Sequence, residues 1–430
     1  MKTVQVDHAK LVLAPEPGRT VIRPFSPGYA EGFERGGKSR AQRIVDQVLS
    51  FDDATVAAER ARLKDTLEEQ HRDVEEMLLR RFREIDGALA QCGDPPRERA
   101  ILIGAYFSEE YSFEAAALFN PSMVLHPDQS GMGNDCFRFI LSLRGMGEGH
   151  LSSVTFRTGC WRGDIEVTVD EISRYAVPPH VVEGETERDA GPVRLSCGGS
   201  QDLSETVLFP LLPSQAGGIE DVRMVRFVEE DGAVTYYGTY TAFSGSGIRS
   251  EIFTTSDFCG FEMRPLEGSA TRGKGMALFP RRIGGQYVML GRQDNESIWL
   301  HRSDDLHSWS GGDKLIEPRY PWDCAQMGNC GSPIEIDEGW LVITHGVGAV
   351  RGYTIGAALL DRDDPSKVLG RVPEPILRPT PEERDGYVPN VVYACGALVR
   401  GRRLMLPYGV ADNYTRFASI PLDSLLAALQ

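Results

Sequence analysis

Four consecutive residues, Glu220-Asp221-Val222-Arg223, set two carboxylates and a guanidinium at the entrance to the apolar run Met224–Val228. A carboxyl so placed serves as a general acid when its surroundings raise its pKa, and a neighbouring Arg can orient it or contact a substrate hydroxyl. Taken alone, such a tetrapeptide is an ordinary solvated ion-pair cluster. A second set, Arg144, Lys274, Arg292, His345 and Tyr353, is scattered along the chain. Drawn together in an acidic protein, these side chains would seat a small anion such as phosphate, the cations neutralising it and His and Tyr adding directed donors. No Walker-type glycine loop occurs, so any phosphate would be held by side chains. A third set, Asn120 in FNPS, Asn390 in YVPN and Asp412 in YGVAD, offers donors and acceptors suited to vicinal sugar hydroxyls, with aromatic faces for stacking. Each of these is equally ordinary turn chemistry.

The elements that would position these groups follow from periodicity. Residues 1–36 are broken by Pro15, Pro17, Pro24 and Pro27 and read as an arm. From Lys38 to Gln91 the chain turns rich in Ala, Leu, Glu and Arg. Leu63, Leu67, Val74, Leu78, Phe82, Ile85 and Leu89 recur at helical steps, which predicts a helical hairpin whose apolar stripe packs on the main domain or on another subunit. Beyond Gly93-Asp94-Pro95-Pro96 short β-rich runs take over. A turn followed by an apolar strand recurs at Asp231-Gly232, Gly284-Gly285, Glu338-Gly339 and Arg400-Gly401, roughly fifty to sixty residues apart. A second element recurs out of phase at 154–161, 252–261 and 298–309. A period near fifty with several strands per unit is that of a β-propeller blade, and about five blades fit the chain after the helices. A large two-sheet β protein is the plainer alternative. Arg292, His345 and Tyr408 follow their turn glycines at a near-constant offset, which would bring them to matching heights in neighbouring blades.

Composition narrows the function. The chain has 430 residues, 41% hydrophobic and 25% charged, with a net charge of -16, so a basic face for nucleic acid or for an anionic membrane is not expected. No apolar run approaches a membrane span and the N-terminus lacks a secretory pattern, which points to the cytoplasm. The eight cysteines form no metal-spaced cluster, so neither a metal nor a disulfide framework is expected. Ser244-Gly245-Ser246-Gly247 is no nucleophile elbow, and Gly145–His150 opens no dinucleotide-binding helix.

The segments FNPSMV (119–124), EDVR (220–223), KGMALFP (274–280), GSPIEIDEGWLVITHGV (331–347), YTIGAALLDRDDPSKVLGR (353–371), GYVPNVVYACGAL (386–398) and YGVAD (408–412) together resemble the ordered motifs of glycoside hydrolase family 130. The resemblance runs from about residue 115 to 425. It implies an all-β, five-bladed β-propeller catalytic domain over 101–430, with residues 1–100 as an added N-terminal arm and helical module. It also implies inverting cleavage of β-mannosides or manno-oligosaccharides without a cofactor, in a family of both phosphorylases and β-1,2-mannosidases, and the retained cationic set favours phosphorolysis to α-mannose 1-phosphate with inorganic phosphate as co-substrate. Asp221 would be the proton donor, its proton reaching the glycosidic oxygen through a mannosyl hydroxyl. Arg144, Lys274, Arg292, His345 and Tyr353 would bind phosphate, and Asn120, Arg223 and Asp412 the sugar.

Two positions depart from the family pattern. Val222 stands where Pro is usual, and Gln326 or Met327 where a basic phosphate ligand is expected. An inverting hydrolase of the same family would need a second carboxylate roughly 6.5–9.5 Å from the first to activate water, for which Glu296 and Asp323 are the candidates. A non-catalytic carbohydrate-binding propeller is a third reading. The partners expected are a small carbohydrate and phosphate, with a homo-oligomer formed through the N-terminal helices.

Overall fold

The computed structural model describes residues 4–29, 37–133, 135–182 and 191–430. Parts of the expected arm, residues 1–3 and 30–36, lie outside them. The chain divides into two compact units: one from Pro17–Phe113 with Arg174–Ala176, the other from the residues up to Glu16 with Glu114–Ser173 and Val177–Gln430. This differs from the division at residue 100 that accompanied the family resemblance. The helical pattern continues to Tyr106, and the N-terminal segment is a strand of the second unit.

Among its described residues the smaller unit holds four helices, α1 (Arg40–Ser50), α2 (Asp53–Leu67), α3 (Val74–Ile85) and α4 (Arg97–Tyr106), where the sequence suggested a hairpin. Ser39 and Asp52 cap α1 and α2 by accepting from the backbone N–H of Gln42 and Thr55, the role their short oxygen-bearing side chains suit. Apart from Leu89, which is 38% exposed, the apolar stripe is covered within this unit. Leu67, Val74, Leu78 and Leu79 pack against Ala100 and Ile101 of α4, and Val45, Val48 and Ile85 against Leu102 and Ile103. The stripe therefore gives no argument for a subunit interface. Gly104 permits the approach of α3 and α4, since a Cβ there would lie 2.0 Å from the Leu78 carbonyl oxygen.

The described residues of the larger unit form five antiparallel sheets. Sheet 1 begins with strand Ala117–Leu125, followed outward by Cys136–Met146 and Ser152–Arg162. Sheet 2 begins with Gly218–Val228 and continues with Val234–Phe243, Ile248–Thr255 and Gly260–Pro265. Sheet 3 runs Lys274–Leu278, Tyr287–Arg292, Ile298–Ser303 and Asp313–Ile316. Sheet 4 runs Gln326–Asn329, Gly339–Val347, Tyr353–Leu360 and Val368–Arg371. Sheet 5 runs Val392–Tyr393, Arg403–Val410 and Tyr414–Pro421, and its outermost strand is Asp7–Leu13 from the chain's beginning, Asp7 facing Ser419. The recurrent turn-then-strand read from sequence is the second strand of sheets 2 to 5, and the out-of-phase element belongs to the third strands.

Apolar clusters lie between consecutive sheets: 1 with 2, 2 with 3, 3 with 4, 4 with 5, and 5 with 1. Within Gly218–Val228, Val222 and Met224 face sheet 1 while Val225 and Phe227 face sheet 3. Trp340 and Val342 face sheet 3 while Leu341 and Ile343 face sheet 5. Strands covered on both faces need apolar residues at successive positions, which is why they read as continuous runs. Hydrogen bonds join the layers as well, such as Met224 N–H to Ser122 Oγ at 2.9 Å and Tyr353 N–H to the Asn390 carbonyl at 2.9 Å. Among the described residues no helix is long and apolar enough to cross a membrane.

Candidate active site

The first strands of sheets 1, 2 and 3 share one irregularity. Pairing runs from Phe119↔Arg144 to Ser122↔Ser142, from Glu220↔Thr241 to Arg223↔Thr239, and from Lys274↔Arg292 to Ala277↔Leu290. In each case two residues oppose one, a β-bulge, which bends the strand and re-aims its side chains. The bulged residue has left-handed backbone in all three: Asn120 (φ 49), Asp221 (φ 53) and Gly275 (φ 89). Asn and Asp are the non-glycine residues that tolerate this conformation best. The bulges turn Asn120 and Asp221 toward each other, and the Asn120 amide donates to Asp221 Oδ1.

Around this pair the charges interlock. Glu220 accepts from Arg144 Nη2 at 3.0 Å with one oxygen and from Lys274 Nζ at 2.8 Å with the other, and Arg144 Nη1 stands 3.5 Å from Asp221 Oδ1. Arg223, buried, donates through Nη1 to the Asp221 carbonyl at 2.9 Å and through Nη2 to the Tyr393 hydroxyl at 2.8 Å. The Tyr393 ring lies 4.9 Å from that of His345, which stacks on Tyr353 at 5.9 Å. Arg292 Nη1 donates to His345 Nε2 at 3.1 Å. Gly328, opposite His345, makes room for this contact, because a Cβ there would lie 2.5 Å from His345 Cε1. Asp412, left-handed at φ 50, stands on the turn after Arg403–Val410, close enough to Asp221, Glu220 and Arg144 to feel their charges.

The nine residues singled out in the sequence thus converge on one region of the larger unit. His345 differs from its expected part as an anion donor. Burial, reinforced by the charges of Arg292 and Arg223, holds its pKa well below the ordinary value, so the ring is neutral. An Arg cannot accept a hydrogen bond, so Nε2 must be the acceptor and His345 orients Arg292. Burial would raise the Asp221 carboxyl, but the charges of Arg144, Arg223 and Lys274 and the Asn120 amide outweigh it and leave the pKa below its ordinary value. Asp412 goes the other way. Burial, and then the charge of Asp221, push it up to about 6 against the partial relief of Arg144 and Arg351.

Several buried polar atoms here have no partner among the described residues: Asn120 Oδ1, Arg144 Nε, Arg223 Nε, Arg292 Nε and Asn329 Oδ1. Buried polar groups are nearly always hydrogen-bonded, so their concentration here fits a site built for a polar, anion-bearing ligand. Among the described residues no cluster of three or more His, Cys, Asp or Glu could hold a metal ion.

Two candidates for a second catalytic carboxylate fail. Asp323 is fully buried, accepting from Arg371 at 2.6 Å and from the backbone N–H groups of Arg319 and Tyr320. Glu296 is exposed on the turn after Arg292. The strand Gln326–Asn329 brings no cation, since Met327 is buried and Gln326 is uncharged. Sequence reasoning gave Glu220 no role of its own and missed Tyr393. The latter sits in the apolar run VVYACGAL, where an aromatic reads as core.

Residues 201–430 match the sequence profile of glycoside hydrolase family 130, described as β-1,4-mannooligosaccharide phosphorylase. Over 232 residues the chain is 34% identical to a β-1,2-mannobiose phosphorylase of Listeria innocua, covering 52% of this chain and 63% of that enzyme. Over 228 residues it is 36% identical to a 1,2-β-oligomannan phosphorylase of a Thermoanaerobacter species, covering 52% of this chain and 75% of that one. The solved structure of a β-1,2-mannobiose phosphorylase from Listeria innocua, in complex with β-1,2-mannobiose, is similar in fold. Its TM-score is 0.55 and its identity 24%, over 73% of this chain and 92% of that one. The matched segment thus spans less than two thirds of the first of these relatives.

Proposed function

The chain belongs to glycoside hydrolase family 130, and from this we propose that it is an inverting phosphorylase that cleaves β-mannosides or manno-oligosaccharides with inorganic phosphate, releasing α-mannose 1-phosphate. The observation that carries the reading is the pair Arg144 and Lys274 held together on Glu220 beside Asp221, with Arg292 oriented by His345 nearby. An inverting phosphorylase needs one acid and an anion cradle, because phosphate itself attacks the anomeric carbon from the face opposite the leaving oxygen. A hydrolase needs a base for water, and neither Asp323 nor Glu296 is placed to serve.

In the reaction the bond from C1 to the leaving sugar's oxygen breaks and a bond from C1 to a phosphate oxygen forms, turning β into α. The proton goes from Asp221, by way of a mannosyl hydroxyl, to the leaving oxygen. Asp221 is ionised in the free protein, and arriving phosphate supplies its remedy. An anion on Arg144 and Lys274 cancels the positive charge that depresses the carboxyl, so its pKa rises when the co-substrate is seated and Asp221 takes up from solvent the proton it then donates; the proton of the attacking hydrogen phosphate returns to solvent as the new ester forms. Asn120, Arg223 and Asp412 would grip the mannosyl hydroxyls. The chemistry calls for no metal or organic cofactor.

We also read the larger unit as a five-bladed β-propeller, supported by the five successive sheets, their shared apolar layers and the first strands that carry the site. Eight free cysteines suit a reducing compartment such as the cytoplasm.

The test is to incubate the protein with β-1,2- and β-1,4-linked manno-disaccharides and mannosyl-glucose, with and without phosphate. Phosphate-dependent mannose 1-phosphate is the expected product, and free mannose regardless of phosphate would overturn the reading. Asp221→Asn should lower turnover by about 10²–10⁴-fold with circular dichroism unchanged.

A further inference from the structure

Among the described residues of the larger unit, Tyr387 is the aromatic side chain left more than a third exposed, at 57%. Its ring packs on one partner, the ring of His150, with centroids 5.1 Å apart and planes at 41°. Neither residue contributes to an apolar core, and the mechanism above uses neither.

Their position is fixed by the site. The Val388 N–H donates to the Ala411 carbonyl at 3.0 Å, next to Asp412, and Asn413 Nδ2 reaches the Asp385 carbonyl at 3.5 Å. At the other end of the same segment the Asn390 carbonyl accepts from the Tyr353 N–H at 2.9 Å. Residues 385–390 are thereby tied to both the Asp412 turn and Tyr353. His150 comes from the turn that follows the strand carrying Arg144, and its left-handed backbone (φ 61) after Gly149 (φ 68) holds the ring out from that turn. The two rings form a small wall at the solvent-facing edge of the site, while Asn120 and Arg223 lie buried at its floor.

We propose that the exposed face of Tyr387, backed by His150, is the binding platform for the sugar on the leaving side of the cleaved bond. The proposal rests on the phosphorylase reading for the identity of that sugar, a β-linked hexose of a manno-oligosaccharide. A mannosyl unit held by Asn120 and Asp412 at the floor must direct the rest of its chain outward, past this edge. A hexose ring carries an apolar C–H face edged by hydroxyls. A rigid, amphipathic tyrosine matches that face at little entropic cost, and its hydroxyl together with the His150 ring nitrogens meets the rim.

A reversible phosphorylase allows the two sugar sites to be read separately. In the synthetic direction, from α-mannose 1-phosphate and an acceptor saccharide, Tyr387→Ala should raise the KM for the acceptor roughly five- to tenfold. It should leave the KM for α-mannose 1-phosphate within about twofold of the parent, and Tyr387→Phe, which keeps the ring face but not the hydroxyl, should restore most of the acceptor KM. An unchanged acceptor KM, or a rise in the donor KM instead, overturns the proposal. Calorimetric titration of β-1,2-mannobiose without phosphate gives a second reading that needs no turnover. Weaker binding by Tyr387→Ala supports the platform, and equal affinity overturns it. Absence of mannose 1-phosphate with the parent protein would sink the phosphorylase reading while leaving this titration decisive for Tyr387.

Discussion

Glu220 holds the place between Arg144 and Lys274 that phosphate would share on the proposed phosphorylase reading. Its carboxylate keeps the two cations together and cancels part of their charge. Removing that charge while keeping the shape strengthens the field for phosphate. Glu220→Gln should therefore lower the KM for phosphate several-fold, read from initial rates at varied phosphate. An increase in that KM would mean the carboxylate mainly pre-organises its partners. Asp412 supplies a second test at this scale. Its folded pKa of about 6 lies above the ordinary carboxylate value, so the folded state takes up a proton between about pH 4 and 6 that the unfolded chain does not. The penalty of burying its charge is therefore absent below about pH 4 and complete above pH 6. Asp412→Asn should melt at a higher temperature than the parent at pH 8, by the equivalent of about 1–2 kcal/mol after allowance for solvent screening. The gap should close at pH 4. On the proposed reading, in which Asp412 would grip the sugar, activity should fall at both.

At the scale of elements, the repeated bulge turns a strand's end into a functional position. Three adjacent first strands slip register at the same height, so three otherwise buried side-chain rows present Asn120, Asp221 and the Lys274-Gly275 corner on one side. The neighbouring first strand, Gln326–Asn329, has no such slip and contributes Gly328, whose lack of a side chain admits His345 and Arg292. Gly328→Ala would force these apart at a cost of about 1–3 kcal/mol, and the damage should show in phosphate binding. The expected outcome is a raised KM for phosphate with the secondary structure intact by circular dichroism. A variant with parental phosphate KM would show that the Arg292–His345 contact is dispensable.

For the molecule as a whole, the chain's two ends meet in sheet 5. Asp7–Leu13 pairs with Tyr414–Pro421, Asp7 pairs with Arg403, and Ala9 is buried beside Phe417 and Met405. Protein lacking residues 1–16 would expose the edge of Tyr414–Pro421 and uncover apolar side chains worth about 1.5–3 kcal/mol each when fully buried. It should unfold at a denaturant midpoint clearly below that of the full chain, and an unchanged midpoint would show that the strand adds nothing. The helices of the smaller unit, which hold their own core, should melt as before.

By itself the sequence determined the recurrent strands, because a strand covered on both faces must be apolar throughout and each turn needs its glycine. It also determined the helical composition of residues 38–91 and, through the ordered motifs, singled out Asn120, Arg144, Asp221, Arg223, Lys274, Arg292, His345, Tyr353 and Asp412, which the fold brings near one another. These are matters of local pattern, written within a few residues of one another. Only the tertiary structure decided that Asp7–Leu13 of the N-terminal arm is a strand of the last sheet, that α4 covers the helical stripe, and that His345 is a neutral acceptor orienting Arg292. It alone removed Asp323 from the candidates by giving it Arg371, and gave Glu220 and Tyr393 their places. Each of these depends on a partner far away in the chain, and burial, charge and pKa are properties of the partners a residue acquires on folding, which its neighbours in sequence do not specify.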